Sequence, residues 1–296
     1  MCRCIMTGKV FEERKALMKM KCRVLAAVLA MAMLAPWVAW ADEDAAKARA
    51  ILEKNKLAVA TVKLVVKQKF SMFGMGSEEN ESKMDITGTV IGPDGLIVVA
   101  LSSTDPMAIY RSMMPSMLDE GLQMDSELSD VKILAEDGSE IPAQVILRDN
   151  DLDLAFVRPK EKPVQPWPHI DLRNDAKPEL LDKLVALNRL GKAANRAYSL
   201  SYEWVEAIVD KPRTFYVPGT QITNSTQGSP VFSLDGKIVG VIVIRAIKDS
   251  DSGGGLFGMS DAVTPIILPA ADILEGVQQA PPFTEGDATT PAPETH

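Results

Sequence analysis

The chain is short of the side chains that most often do chemistry. It has three cysteines, Cys2, Cys4 and Cys22, all near the N-terminus, and two histidines, His169 and His296, in 296 residues. With every cysteine ahead of residue 23, the body of the protein has no disulfide framework and no thiol nucleophile, so its stability rests on the core. No cofactor and no metal site are expected. Methionine thioethers could in principle hold copper, but supporting His or Cys ligands are missing. Positive charge is also scarce. A formal net charge of -8 argues against nucleic acid as a partner. What is present is core material: 46% hydrophobic and 24% charged residues, in a length that allows one large all-β domain or two modest ones.

Long apolar runs are absent except for one. Lys19, Lys21 and Arg23 precede an apolar stretch from Val24 to Ala39, which ends in Ala39-Trp40-Ala41 with Asp42 next. A basic region, an apolar region and a small-x-small site make residues 1–41 a secretory signal peptide, with the first 17 residues as an upstream extension. The alternative is an uncleaved membrane anchor, because the run is close to the lower limit for spanning. Removing 1–41 takes away seven Lys/Arg and two Glu, which leaves 25 basic and 38 acidic residues, a net charge of -13. The expected location is periplasmic or secreted, with no membrane contact once the segment is cleaved.

Residues 42–56 open on acidic residues followed by good helix formers, which predicts an N-terminal helix. From Leu57 the pattern changes to short β-branched runs: 57–66, 88–92, 96–101, 131–135, 141–147, 154–158, 183–188, 202–209, 230–234 and 238–244. Pro93-Asp94-Gly95, Glu136-Asp137-Gly138 and Leu234-Asp235-Gly236 are turn signals between them. Many short strands at this spacing predict an all-β sandwich or barrel. A last helix is expected over 270–278, and the Pro/Thr/Ala/Glu-rich residues 279–296 are expected to be a disordered tail.

Four segments in order carry a resemblance. They are GTVIGPDGLIVVALSS (88–103), VKILAEDGSEIPAQVILRDNDLDLAFVRP (131–159), KLVALNRLG (183–191) and FYVPGTQITNSTQGSPVFSLDGKIVGVIV (215–243). Together they resemble trypsin-like serine proteases of the HtrA/Deg type, over about residues 57–278. The resemblance implies a trypsin-like double antiparallel β-barrel, with barrels at about 57–165 and 178–268 and short helices at both ends. No PDZ-like domain is expected after Gly276, so the family's trimeric assembly is not carried over and the oligomeric state stays open.

The resemblance also implies a degenerate site. A serine peptidase needs a serine whose proton passes to a histidine, which a buried aspartate holds in place. Matched residue by residue, Asp153 stands at the aspartate position, Ser102 where the histidine belongs and Gln227 where the nucleophilic serine belongs. In the same loop Ser225 and Ser229 replace family glycines and Gly228 is kept. These are remnants of the loop whose backbone N–H groups form the oxyanion hole. A Cβ at 225 or 229 would penalise a positive φ and let the loop relax to another shape. His169, in Pro166-Trp167-Pro168-His169, falls between the barrels and reads as a surface residue. Asp153 is expected to be held by backbone hydrogen bonds. Gln227 is expected either to plug the former pocket or to hydrogen-bond a bound chain.

Two insertions complete the pattern: a long hairpin at 70–84, and residues 104–130 with Met107, Met113, Met114, Met117 and Met124 and a short helix. Such methionines pack an insertion onto the barrel or form an adaptable binding surface. Residues 252–260 form a glycine-rich loop near the expected cleft. The function implied is a proteolytically inactive, exported binding or scaffold module for a peptide or protein partner. A serine endopeptidase with a rearranged site, for example a Ser–Lys pair at Ser225 or Ser229, is one alternative. An envelope structural or metal-buffering protein is the other.

Overall fold

The computed structural model describes residues 43–72, 75–105, 122–219, 226–246 and 263–283. The expected signal segment, Met107, Met113, Met114 and Met117, Ser225, the glycine-rich loop at 252–260 and the tail from 284 onward lie outside the described residues. Among the described residues, no helix is long and apolar enough to cross a membrane.

Helix α1 covers residues 43–55. Twelve strands follow: β1 (Val59–Met72), β2 (Met75–Val90), β3 (Ile97–Ala100), β4 (Leu122–Leu134), β5 (Glu140–Asp149), β6 (Leu154–Pro159), β7 (Lys183–Arg189), β8 (Tyr198–Val209), β9 (Phe215–Pro218), β10 (Pro230–Ser233), β11 (Ile238–Ala246) and β12 (Val263–Pro269). Helix α2 (Ala270–Gln279) comes after them. The strands close into two six-stranded antiparallel barrels, β1-β2-β3-β6-β5-β4 and β10-β11-β12-β9-β8-β7. The trypsin-like double barrel expected from the sequence is therefore present. Closure explains the pattern of short runs, since it pairs every barrel strand on both edges and leaves one face of each strand to fill the interior.

Alternation sets which side chains face inward. In β1, Val62, Leu64 and Val66 are buried while Lys63 and Lys67 point outward. β6 departs from this, being buried along its whole length, and α2 packs against it at Phe156. The ring of Phe156 lies so close to Gly276 that a Cβ there would be 3.0 Å from it. All three predicted Asp-Gly turns form, with Gly95, Gly138 and Gly236 at positive φ.

The sequence-based reading missed or misjudged several elements. Most of 104–130, where a short helix was expected, lies outside the described residues. Residues 122–130 were not expected as strand but belong to β4, which pairs with β1 from Met72 back to Thr61. Pairing with a long partner has overridden the polar composition of this stretch. β9 and β12 were absent from the expected runs. β9 has only four residues, and Pro265 interrupts the apolar run of β12. The expected hairpin at 70–84 is present as the outer part of β1 and β2, which pair from Val59↔Thr89 to Ser71↔Ser77 and, after a register shift, at Met72↔Met75. At the start of the expected tail, Arg158 Nη1 donates to the Pro281 carbonyl at 2.6 Å, and Arg158 Cζ lies 5.8 Å from the Phe283 ring centroid.

The two barrels meet through polar contacts. Asp85 on β2 accepts two hydrogen bonds from Arg196, of 2.8 and 3.0 Å, and Arg189 pairs with Glu136 at 2.9 Å. The buried Thr89 hydroxyl donates to the Gly228 carbonyl at 2.7 Å. The segment between the barrels runs along the first, with Ile170 N–H on Val90 O, and joins the second by a bridge between Asp175 and Ile238.

Candidate active site

Three turns bring the candidate residues together, one at the end of β3, one before β6 and one before β10. Ser102 lies in the 3₁₀ turn Leu101–Ser103 that follows the fully buried β3. Asp153 precedes β6 in a left-handed conformation, φ 55. Its carbonyl accepts the Leu101 N–H at 2.9 Å, which ties the first two turns together. Gln227 lies in the turn before β10, on the second barrel.

Asp153 joins the barrels. Its Oδ1 accepts the Ser102 backbone N–H at 2.6 Å. Its Oδ2 accepts the Ser102 hydroxyl at 2.9 Å and the Ile244 N–H of β11, also at 2.9 Å. The expected backbone anchoring of this carboxylate is thus in place. Burial pushes its pKa up from 3.8 to about 6, and the bonds from Ile244 and Ser102 pull against that rise. A left-handed non-glycine residue held by several bonds is a form of strain that persists only where its surroundings over-determine it.

Gln227 closes the cluster. Its side chain is buried and its Oε1 accepts the Ser103 hydroxyl at 2.7 Å, with the Ser102 hydroxyl at 3.2 Å. Ser102 has one hydroxyl proton, and its shorter, charge-assisted contact is with Asp153, so Ser103 is the main donor to Gln227. Ser103 and the Ile244 N–H were not among the sequence candidates. Ser103 adjoins one of them, but a backbone donor from a distant strand leaves no sequence signal.

Ser229 does not occupy a left-handed conformation; the positive φ falls on the glycine that remains, Gly228, at 83. A Cβ on Gly228 would lie 2.1 Å from the Thr87 carbonyl oxygen, so only glycine fits. Ladder bonds hold the loop, Gly228 N–H to Ile242 O at 2.8 Å and Ile242 N–H to Ser229 O at 3.0 Å. Ser229 is fully buried and its hydroxyl has no partner.

The cluster can order two loops. Among the described residues, the hydrogen bonds of Ser102, Ser103 and Asp153 in this cluster go to serine, glutamine, aspartate and backbone groups and to no histidine or lysine. His169 is exposed, and its Nδ1 lies 2.9 Å from the Trp167 carbonyl. Among the described residues, no group of three or more His, Cys, Asp or Glu gathers to hold a metal.

The family model of the trypsin-like peptidase domain matches residues 86–241, more than half of the chain. Among solved structures, the apo crystal structure of the MamO protease domain from Magnetospirillum magneticum is similar at 14% identity and a TM-score of 0.45, over 75% of this chain and 97% of that one. No curated protein matches by sequence.

Proposed function

The chain belongs to the trypsin-like peptidase family, and we propose that it is an exported member that binds a peptide or protein partner without cutting it. The observation that carries this reading is the closed Asp153–Ser102–Gln227 cluster. Acyl transfer needs a nucleophile whose proton has somewhere to go at neutral pH. Here the residue matched to the general base is a serine that donates to Asp153, and the residue matched to the nucleophile is a buried amide. An amide oxygen neither attacks a carbonyl nor takes a proton from a neighbouring hydroxyl. The three positions are retained as a hydrogen-bonded brace between loops of the two barrels.

Strand edges support the binding role. β11 pairs with β10 only as far as Val241, yet it continues to Ala246 with β12 on its other side. On the side away from β12, the Ile244 N–H is taken by Asp153. On that same side Ile242 is bonded to Gly228 and Ser229, so an extended peptide could add main-chain hydrogen bonds to this edge beyond Ile244. Export is supported by the basic, apolar and Ala-x-Ala sequence of residues 19–41.

Fluorophosphonate labelling of the purified chain, with casein cleavage alongside and an active serine protease as control, tests the catalytic half. The expected result is neither label nor cleavage. Label mapping to Ser102, Ser103, Ser225 or Ser229 would show a rebuilt nucleophile and overturn the reading.

A further inference from the structure

Large apolar side chains left in solvent are concentrated in two places. Among the described residues they are Leu57, Val164, Leu180, Leu181, Tyr202 and Trp204, and four of these six lie together where the chain enters the second barrel. A single exposed apolar residue is ordinary, but a cluster marks a surface for contact. Tyr202 and Trp204 are two apart on β8 and share its outward face. The Lys183 ammonium stands over both, 3.9 Å from the Tyr202 ring centroid and 5.8 Å from that of Trp204. The Leu181 N–H bonds to the Val205 carbonyl at 2.9 Å, and the Val205 N–H to the Asp182 carbonyl at 3.1 Å. These two bonds run residues 181 and 182 alongside Trp204 and Val205. Leu181 is 76% exposed and left-handed, φ 67. A bulky side chain is disfavoured in that conformation, so an exposed leucine held there points to a contact outside the chain's own core.

The second place is a knob on the segment between the barrels. The Lys160 N–H bonds to the Pro142 carbonyl at 2.9 Å and the Trp167 N–H to the Pro93 carbonyl at 3.0 Å. Between these anchors, residues 161–166 make no backbone–backbone bond among the described residues. They form an arch that bends at Val164 and Gln165. Pro163 and Pro166 fix their own φ and restrict the residue before each, so the arch is stiff without internal bonds. Val164 stands at the bend and is 97% exposed. With Val164 and Leu181 both open to solvent, knob and patch do not cover each other within one chain. Their surroundings are opposite in charge. Exposed Lys160 and Lys162 flank Glu161 beside the knob, whereas exposed Glu179, Asp182 and Glu206 border the patch around Lys183.

We propose that the Val164 arch of one copy docks on the Leu181–Trp204 patch of a second copy of this chain. A stiff knob loses little freedom on docking. Tyrosine and tryptophan beneath an apolar contact, with charged groups at its rim, make up the centre of an interface. The lysines beside the knob then meet the carboxylates that border the patch. Because the two surfaces differ, the contact is head-to-tail. Each copy offers one knob and one patch, so association grows into a ring or an open chain and does not stop at a symmetric pair. The contact uses neither the Asp153 cluster nor the β11 edge, and it holds whether or not the protein binds peptides.

Sedimentation velocity of the purified chain over a concentration series, beside two variants, is the test. Val164→Asp blocks the knob and Leu181→Asp blocks the patch. Both positions are exposed, and aspartate accepts the left-handed conformation at 181, so both variants should fold. The native chain is expected to sediment faster as its concentration rises, and each variant alone to stay a monomer. An equal mixture of the two variants should form a 1:1 dimer and grow no further, because one supplies an intact patch and the other an intact knob. A native chain that stays monomeric throughout the series overturns the proposal, as do variants that associate like the native chain. A mixture that stays monomeric overturns the head-to-tail pairing of these two surfaces.

Discussion

Asp153 shows how burial and hydrogen bonding compete at a single residue. Three donors favour its carboxylate, yet its removal from water outweighs them and its pKa rises to about 6. The sign of the effect on stability follows. Between 3.8 and about 6 the folded chain keeps a proton that the unfolded chain has released, so the stability this group contributes is complete at low pH and is lost as pH rises through about 6. Relative to Asp153→Asn, the native chain should therefore lose stability from about pH 4 to about pH 6 and stay level above. Urea denaturation of both proteins across this range checks it. A difference that is flat with pH, or rises with it, would mean that the donors from Ser102 and Ile244 dominate after all.

At the scale of an element, helix α2 is more than a terminal cap. It follows directly from β12 of the second barrel, and its Gly276 rests on Phe156 of the first, with a would-be Cβ 3.0 Å from the ring. Its buried residues Ala270, Ile273 and Gly276 recur every three positions and make one inward stripe. Just past its end, Arg158 holds the Pro281 carbonyl while its Nε lies 3.1 Å from Asp94. A large side chain at 276 should force the helix off β6. Gly276→Leu is expected to lower stability by about 1–3 kcal/mol through overpacking, measured by thermal or urea unfolding. An unchanged midpoint would mean that the helix adjusts freely on the barrel.

For the whole molecule, the question is what fixes one barrel against the other. Besides the cluster of Asp153, Ser102, Ser103 and Gln227, side-chain contacts between the barrels include Asp85 with Arg196 and Lys192, Glu136 with Arg189 and Tyr198, Thr87 with the Arg189 carbonyl and Thr89 with the Gly228 carbonyl. Asp85 is only slightly exposed, and its fork-shaped pairing with Arg196 is of the kind that orients as well as attracts. Arg196→Ala should cost about 1–3 kcal/mol, because it strips a mostly buried carboxylate of its main partner. Adding Asp85→Ala should recover part of that loss. A double-mutant cycle by urea denaturation measures the coupling, and a coupling near zero would show that the pair does not hold the barrels together.

Much of this protein can be read from local pattern. Alternating β-branched runs and Asp-Gly turns determine an all-β chain, because strand period and positive-φ turns are properties of neighbouring residues. The order of four short segments then determines the double barrel. The positions Ser102, Asp153 and Gln227 were also legible, each from its place beside a recognisable strand. Other features depended on the tertiary structure. Residues 122–130 are strand because β1 lies alongside them, and β9 is too short to be seen without its neighbours. Gly228, and not Ser229, takes the left-handed turn because the Thr87 carbonyl leaves no room for a Cβ. The hydrogen bonds of Gln227 with Ser102 and Ser103, the Ile244 N–H on Asp153 and the unpartnered oxygens of Asn188, Glu203 and Ser229 belong to the same class. Each depends on groups distant in sequence meeting where water is excluded, and an unmet hydrogen bond has a cost only once the fold has buried it.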